Sequence, residues 1–170
     1  LYIEHLYLDN NQLRQISNGL FSNMTSLIEL KLELNLLEKI SDQTFYGLSK
    51  NLQSLYLDNN LIEQIDENAF ENFLSLKTLS LKRNKLKDVN FLNKIKNLVN
   101  FYFELNNLEI VKNLNVTYQN LIKLDLSNNQ IFELEENSFN LSNLYTLNLK
   151  NNRIKNFKSA EIFYELISLK

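Results

Sequence analysis

An asparagine returns seven times along this chain, at Asn11, Asn35, Asn60, Asn84, Asn106, Asn129 and Asn152, at intervals of 22 to 25 residues. Each return sits in one aliphatic frame: Ile3, Leu6, Leu8 and Leu13 surround Asn11, and Leu27, Leu30, Leu32 and Leu37 surround Asn35. A unit this short cannot enclose a core of its own and must bury its apolar side against the next copy, so the periodicity predicts a solenoid. Repeats start at Ile3, Leu27, Leu52, Leu76, Leu98, Leu121 and Leu144, with successive periods of 24, 25, 24, 22, 23 and 23 residues. No linker interrupts them, so residues 1–170 are read as one domain of about seven rungs.

The first half of each unit alternates apolar and polar residues, as a short strand with one buried face requires. Stacking places successive strands about 4.8 Å apart, so seven of them form a parallel sheet spanning roughly 30 Å. The asparagine lies where the chain leaves the sheet. There a buried amide offers one acceptor and two donors to backbone groups that have lost their strand partners. All seven asparagines are therefore assigned to structure.

The frame L-x-x-L-x-L-x-x-N-x-L resembles the leucine-rich repeat over nearly the whole chain. That resemblance implies an α/β repeat solenoid, an arc with a parallel β-sheet on its concave face and irregular or 3-10 turns on its convex face. In rungs one, two, three and six the second half carries an apolar residue five places after the asparagine, at Ile16, Ile40, Ile65 and Leu134. A phenylalanine follows at ten places, at Phe21, Phe45, Phe70 and Phe139. These phenylalanines are expected to form a core spine. This form resembles the 24-residue repeat of animal extracellular and receptor ectodomains such as Toll receptors, Slit and chaoptin. It implies a secreted or cell-surface receptor or adhesion protein. Rung four, with Val89, Leu92 and Ile95, resembles the shorter repeats of intracellular phosphatase-regulatory proteins. It keeps open a cytoplasmic scaffold or enzyme-regulatory subunit.

Composition narrows the chemistry. The chain has no cysteine and one histidine, His5, which argues against disulfides, thiolate nucleophiles and zinc clusters, and no metal or cofactor is expected. No apolar run approaches the roughly 18 residues of a membrane span. The chain opens two residues before a rung and stops just after Leu169 begins another, and neither terminal rung shows a polar cap. It is therefore expected to be an internal stretch of a longer stack.

The third, fifth, seventh and eighth places of each frame should face outward from the sheet. The fifth places are Tyr7, Lys31, Tyr56, Ser80, Tyr102, Asp125 and Asn148. The seventh begin Asp9, Glu33 and Asp58, then change sign at Lys82 before Glu104. Tyrosine suits an interface anchor because it combines a large rigid ring with one polar tip. Tyr7, Tyr56 and Tyr102 are the candidate anchors of a protein ligand or co-receptor, with Asp9, Glu33, Asp58 and Glu104 selecting a cationic patch. Lys31, Lys82 and Arg83 complete the candidate face, and Leu34 and Leu105 add apolar contact. About 28 such positions match one side of a standard interface.

Charge is unevenly spread along the chain. Residues 1–75 carry 4 Lys plus Arg against 11 Asp plus Glu, whereas residues 76–170 carry 14 against 9. The basic group Lys77, Lys82, Arg83, Lys85, Lys87, Lys94 and Lys96 is a candidate anionic-glycan site. No aromatic stacking surface accompanies it, so nucleic acid is not expected. Sequons at Asn23, Asn115 and Asn140 are possible glycosylation sites on the convex side, although 29 Asn and 18 Ser plus Thr give about three by chance. An enzyme is not expected: an open sheet does not exclude water, and His5 with Asp9 lacks a serine partner.

Overall fold

The computed structural model describes residues 2–48, 50–112, 114, 120–136, 138–139, 141–157, 159–163 and 166. Among them are eleven short strands: β1 (His5–Tyr7), β2 (Glu29–Lys31), β3 (Lys39–Ile40), β4 (Ser54–Tyr56), β5 (Gln64–Ile65), β6 (Thr78–Ser80), β7 (Asn100–Tyr102), β8 (Ile110–Val111), β9 (Lys123–Asp125), β10 (Glu133–Leu134) and β11 (Thr146–Asn148). Seven of these make one sheet in the order β1-β2-β4-β6-β7-β9-β11. All its pairings are parallel and match equivalent frame positions, so Leu30 faces Leu55, Leu55 faces Leu79, and Leu79 faces Phe101. Those central side chains point inward and are fully buried from Leu30 to Leu124. A slip of one residue would turn this apolar row outward, and the alternation thereby fixes the register.

Behind the sheet, irregular and 3-10 turns run as expected, and paired ladders are added to them. The apolar residues five places past the asparagine pair as small parallel ladders, β3 with β5 through Ile40 and Ile65, and β8 with β10 through Val111 and Leu134. Rung four interrupts them. Its shorter period is taken up by a 3-10 helix, Asn90–Lys94, that buries Phe91 and Leu92. A second 3-10 helix covers Ala160–Phe163.

The expected phenylalanine spine is continuous only in its first part. Phe21 stacks on Phe45 at 6.2 Å and Phe45 on Phe70 at 5.9 Å. Phe91 then carries the series edge-on to Phe101, which stands in a leucine place of the sheet. Phe139 lies apart from this row and stacks on Phe163 at 6.2 Å. Rung four has no phenylalanine ten places after Asn84, and the row is diverted forward into the sheet.

The asparagines bond backwards to the preceding rung. The Asn84 Oδ1 accepts from the Ile62 N–H at 3.0 Å, and its Nδ2 donates to the Leu57 carbonyl at 2.9 Å and to its own rung at Leu81, 3.1 Å. Asn35, Asn60, Asn106, Asn129 and Asn152 repeat the pattern. Asn11 differs: it is exposed and, among the described residues, bonds only to Leu8 and Asp9 of its own rung.

Two glycines separate conformational from steric demand. Gly19 and Gly47 both hold positive φ, at +72° and +75°. A Cβ at Gly19 would meet nothing within 4 Å, whereas one at Gly47 would lie 2.8 Å from the Ser22 backbone of the rung before. No helix among the described residues is long and apolar enough to cross a membrane.

Asn84→Ala strands the buried Ile62 N–H, while the Leu57 carbonyl keeps the Asn60 amide, and should cost about 1–3 kcal/mol in urea unfolding, whereas Asn11→Ala should cost clearly less. Gly19→Ala should cost about 1–2 kcal/mol from backbone strain alone. Gly47→Ala should cost more in the same melts, because the rungs must separate to admit the methyl group.

Candidate functional site

The exposed face of the seven-stranded sheet is built largely from residues that meet across rungs. At its acidic end, Glu29 of β2 gathers three neighbours. Its Oε2 lies 3.0 Å from His5 Nδ1 and accepts from the Tyr7 hydroxyl at 3.1 Å, and its Oε1 is 3.7 Å from the Lys31 ammonium. Burial opposes ionisation of Glu29, yet these hydrogen bonds and the lysine charge outweigh it and hold the carboxyl below its ordinary range. The bond to Glu29 favours the protonated phenol and pushes the Tyr7 hydroxyl up. His5 thus engages Glu29 of the next rung.

The tyrosines are held by cations. The Lys31 ammonium stands 4.8 Å from the Tyr7 ring centre and 5.6 Å from that of Tyr56, bridging alternate rungs. Tyr102 is flanked by Lys82 at 4.5 Å and Lys123 at 4.8 Å. These contacts fix the rings before any partner arrives. Lys82 also donates to Glu104 Oε1 at 2.9 Å. Burial works against its charge, but Glu104 and Asp58 overcome this and raise its affinity for the proton. The second Glu104 oxygen is buried without a hydrogen-bond partner among the described residues.

Asp58 departs from the expectation of an exposed selector. It is only 6 % exposed, and its Oδ1 accepts from the Ser80 hydroxyl at 2.6 Å and the Lys82 N–H at 2.8 Å. Burial pushes its carboxyl up despite those donors. The sequence reading placed it with Asp9 and Glu33 by column. Small Ser80 on the next strand leaves a gap into which the carboxylate folds, and at the fifth place Ser80 is itself buried. Glu33 keeps no hydrogen-bond or ion-pair partner among the described residues; burial first, then the Asp58 charge, raise its proton affinity. Asp9 is exposed beside it.

The basic group of rung four does not form one surface. Lys82 lies on the sheet face, Lys85 pairs with Glu63 at 2.8 Å, and Lys94 and Lys96 line a separate cavity of about 400 Å³ with Glu71 and Leu74. Of the sequons, Asn23 is exposed in a turn, whereas Asn115 and Asn140 fall outside the described residues. Among the described residues no group of three or more His, Asp or Glu side chains is placed to hold a metal ion.

One feature of the face was missed in the sequence. Every eighth-place residue, immediately before the ladder asparagine, has positive φ: Asn10, Leu34, Asn59, Arg83, Leu105, Asn128 and Asn151, between 52° and 61°. The signal was present, since four of the seven are asparagine, a residue that tolerates this region. Leu34, Arg83 and Leu105 hold it at a cost of about 1–3 kcal/mol each.

Family models described as leucine-rich repeat match residues 2–50 and 50–108, and another matches 120–142. The chain belongs to the leucine-rich repeat family. Solved structures similar to this leucine-rich repeat chain include one of the Drosophila Toll–Spätzle complex, at 29% identity and TM-score 0.83 over 90% of this chain and 22% of that one. The LRIM1/APL1C complex matches at 26% and 0.83, over 98% and 29%. An octameric complex of latrophilin 3, Unc5D and FLRT2 matches at 25% and 0.81, over 99% and 60%. A TLR13–ssRNA13 complex matches at 26% and 0.73, over 98% and 27%. The repeats described here thus span under a third of the Toll, LRIM1/APL1C and TLR13 chains. No curated protein sequence matches the chain.

Asp58→Asn removes a buried charge and keeps the Oδ1 acceptor. A carboxyl with raised proton affinity in the fold contributes stability below its ordinary range and loses it as pH rises through the shifted value. Thermal melts should therefore show the variant gaining relative to the native chain between pH 4 and pH 7, and Asp58→Ala should lose stability at both because it abandons Ser80 and the Lys82 N–H.

Proposed function

We propose that the concave sheet face docks a protein ligand or co-receptor, and that the chain is part of a secreted or cell-surface receptor or adhesion protein. The observation that carries this reading is the pre-set aromatic face, in which Tyr7 and Tyr56 are fixed about Lys31, and Tyr102 between Lys82 and Lys123. Rings already immobilised lose little freedom on binding, which is what an interface anchor requires. Three of the similar solved structures are complexes among proteins, which supports a protein partner over a small molecule. Glu33 and Asp9 give the acidic end a cation preference, whereas the largely paired centre provides shape more than net charge. Membership among receptor-like neighbours favours this placement over a cytoplasmic scaffold, for which the short fourth rung and its 3-10 helix are the supporting feature. Scattering of the lysines weighs against the anionic-glycan alternative. Asn23, exposed on the turn side, is proposed as a glycosylation site that leaves the sheet open.

A photo-reactive amino acid placed at Tyr56, on the sheet, and separately at exposed Tyr46, on the turn side, separates the two faces. In cells of the source organism the chain carrying it at Tyr56 should yield a defined protein adduct by mass spectrometry, lost when Tyr7 and Tyr102 are changed to alanine. Equal adducts from both positions, or none specific to Tyr56, would overturn the assignment.

A further inference from the structure

The eighth-place residues form a line along the edge of the sheet, one per rung, and the line is chemically uneven. Asparagine relieves the left-handed backbone at Asn10, Asn59, Asn128 and Asn151, yet Leu34, Arg83 and Leu105 occupy the same conformation at φ 52°, 52° and 61°. Their side chains are not spent on the core. Leu34 is 53 % exposed and Leu105 39 %, and Arg83 is exposed with no ion-pair or hydrogen-bond partner for its guanidinium among the described residues. The backbone beneath them is rigid, because the Leu34, Arg83 and Leu105 N–H groups donate to the next rung at Asp58, Glu104 and Ser127, 2.9 to 3.1 Å away. Three exceptions to the asparagine rule, with Asn59 between the first two, thus present apolar, cationic and apolar groups outward on a fixed frame. The centre of the sheet behaves oppositely: Lys31, Asp58, Lys82 and one oxygen of Glu104 are already satisfied within the chain.

We infer that Leu34, Arg83 and Leu105 are the primary docking line for an extended protein segment carrying a carboxylate flanked by two apolar side chains. This deepens the protein-docking reading and rests on it. The carboxylate would take the guanidinium bidentately, the geometry for which arginine is suited. Leu34 and Arg83 are two strand spacings apart, about 10 Å, and Arg83 and Leu105 one, about 5 Å. An extended segment running along the solenoid axis rises about 3.3 Å per residue and turns every second side chain to the same face, so it would place its first apolar residue two or four positions from the acid and its second two positions beyond it. The tyrosine column then holds the far side of the same segment, beside the docking line.

The test uses the natural full-length chain against an array of synthetic acetylated peptides with aspartate centred between leucine or phenylalanine at these spacings, each beside a copy bearing lysine in place of the aspartate. Aspartate peptides should be retained about tenfold over their lysine copies, and the triple variant Leu34→Asn, Arg83→Asn, Leu105→Asn should lose that difference. Its melting temperature should be no lower than that of the native chain, since asparagine is the residue used at this place elsewhere. Arg83→Glu should reverse the preference towards the lysine copies. An array with no preference for aspartate, or an undiminished preference in the triple variant, overturns the docking line. If retention instead falls only when Tyr7, Tyr56 and Tyr102 are changed to alanine, the docking line is wrong while the sheet face remains the binding surface.

Discussion

One hydrogen-bonding arrangement supports the rest: a side-chain amide that closes its own turn and reaches back to the turn before. The Asn60 Nδ2 donates to the Leu32 carbonyl one rung earlier and to Leu57 in its own rung, while its Oδ1 accepts from the Leu37 N–H. Each rung leaves backbone groups buried at the exit from the sheet: its carbonyl is met by its own amide and by the next, and the N–H two places past the asparagine is met by the amide of the following rung. Apolar burial holds the stack together without specifying its pitch. The backbone ladder of the sheet sets it, and the amides hold it where the strands end.

Against that fixed pitch, the sheet face becomes a lattice in which chemistry is decided by neighbours one rung away. Glu29 meets His5 and Tyr7, and Lys82 meets Tyr102 and Glu104, across sequence separations of about twenty residues. Rigid stacking makes these pairs durable, and they consume much of the charge that the sequence advertises. What remains available lies at the edges: Glu33 and Asp9 at the acidic end, and the left-handed line of Leu34, Arg83 and Leu105. A binding surface of this kind owes its specificity to exceptions in a repeat rather than to a pocket.

Much of the architecture was legible beforehand, because strand alternation, asparagine spacing and period are local properties that stacking merely repeats. The convex side was less so. The two-residue ladders through Ile40 and Ile65, and through Val111 and Leu134, need two rungs of matching length, and the diversion of the phenylalanine row through Phe91 and Phe101 follows from one rung of different length. Nothing within a single repeat signals either.

The sequence by itself determined that this chain coils into a leucine-rich repeat stack, that its framed leucines line the core, and that a repeated asparagine braces each rung to the one before, Asn11 of the first rung excepted. Those outcomes depend on periods of two and of about twenty-four residues that can be read along one strand of text. Tertiary structure alone decided that Asp58 folds inward beneath Ser80, that the tyrosines are clamped by lysines, and that three bulky residues stand in a conformation made for asparagine. Such outcomes depend on which side chains are brought within a few ångströms by stacking, and that distance is set by the width of a rung, not by separation along the chain.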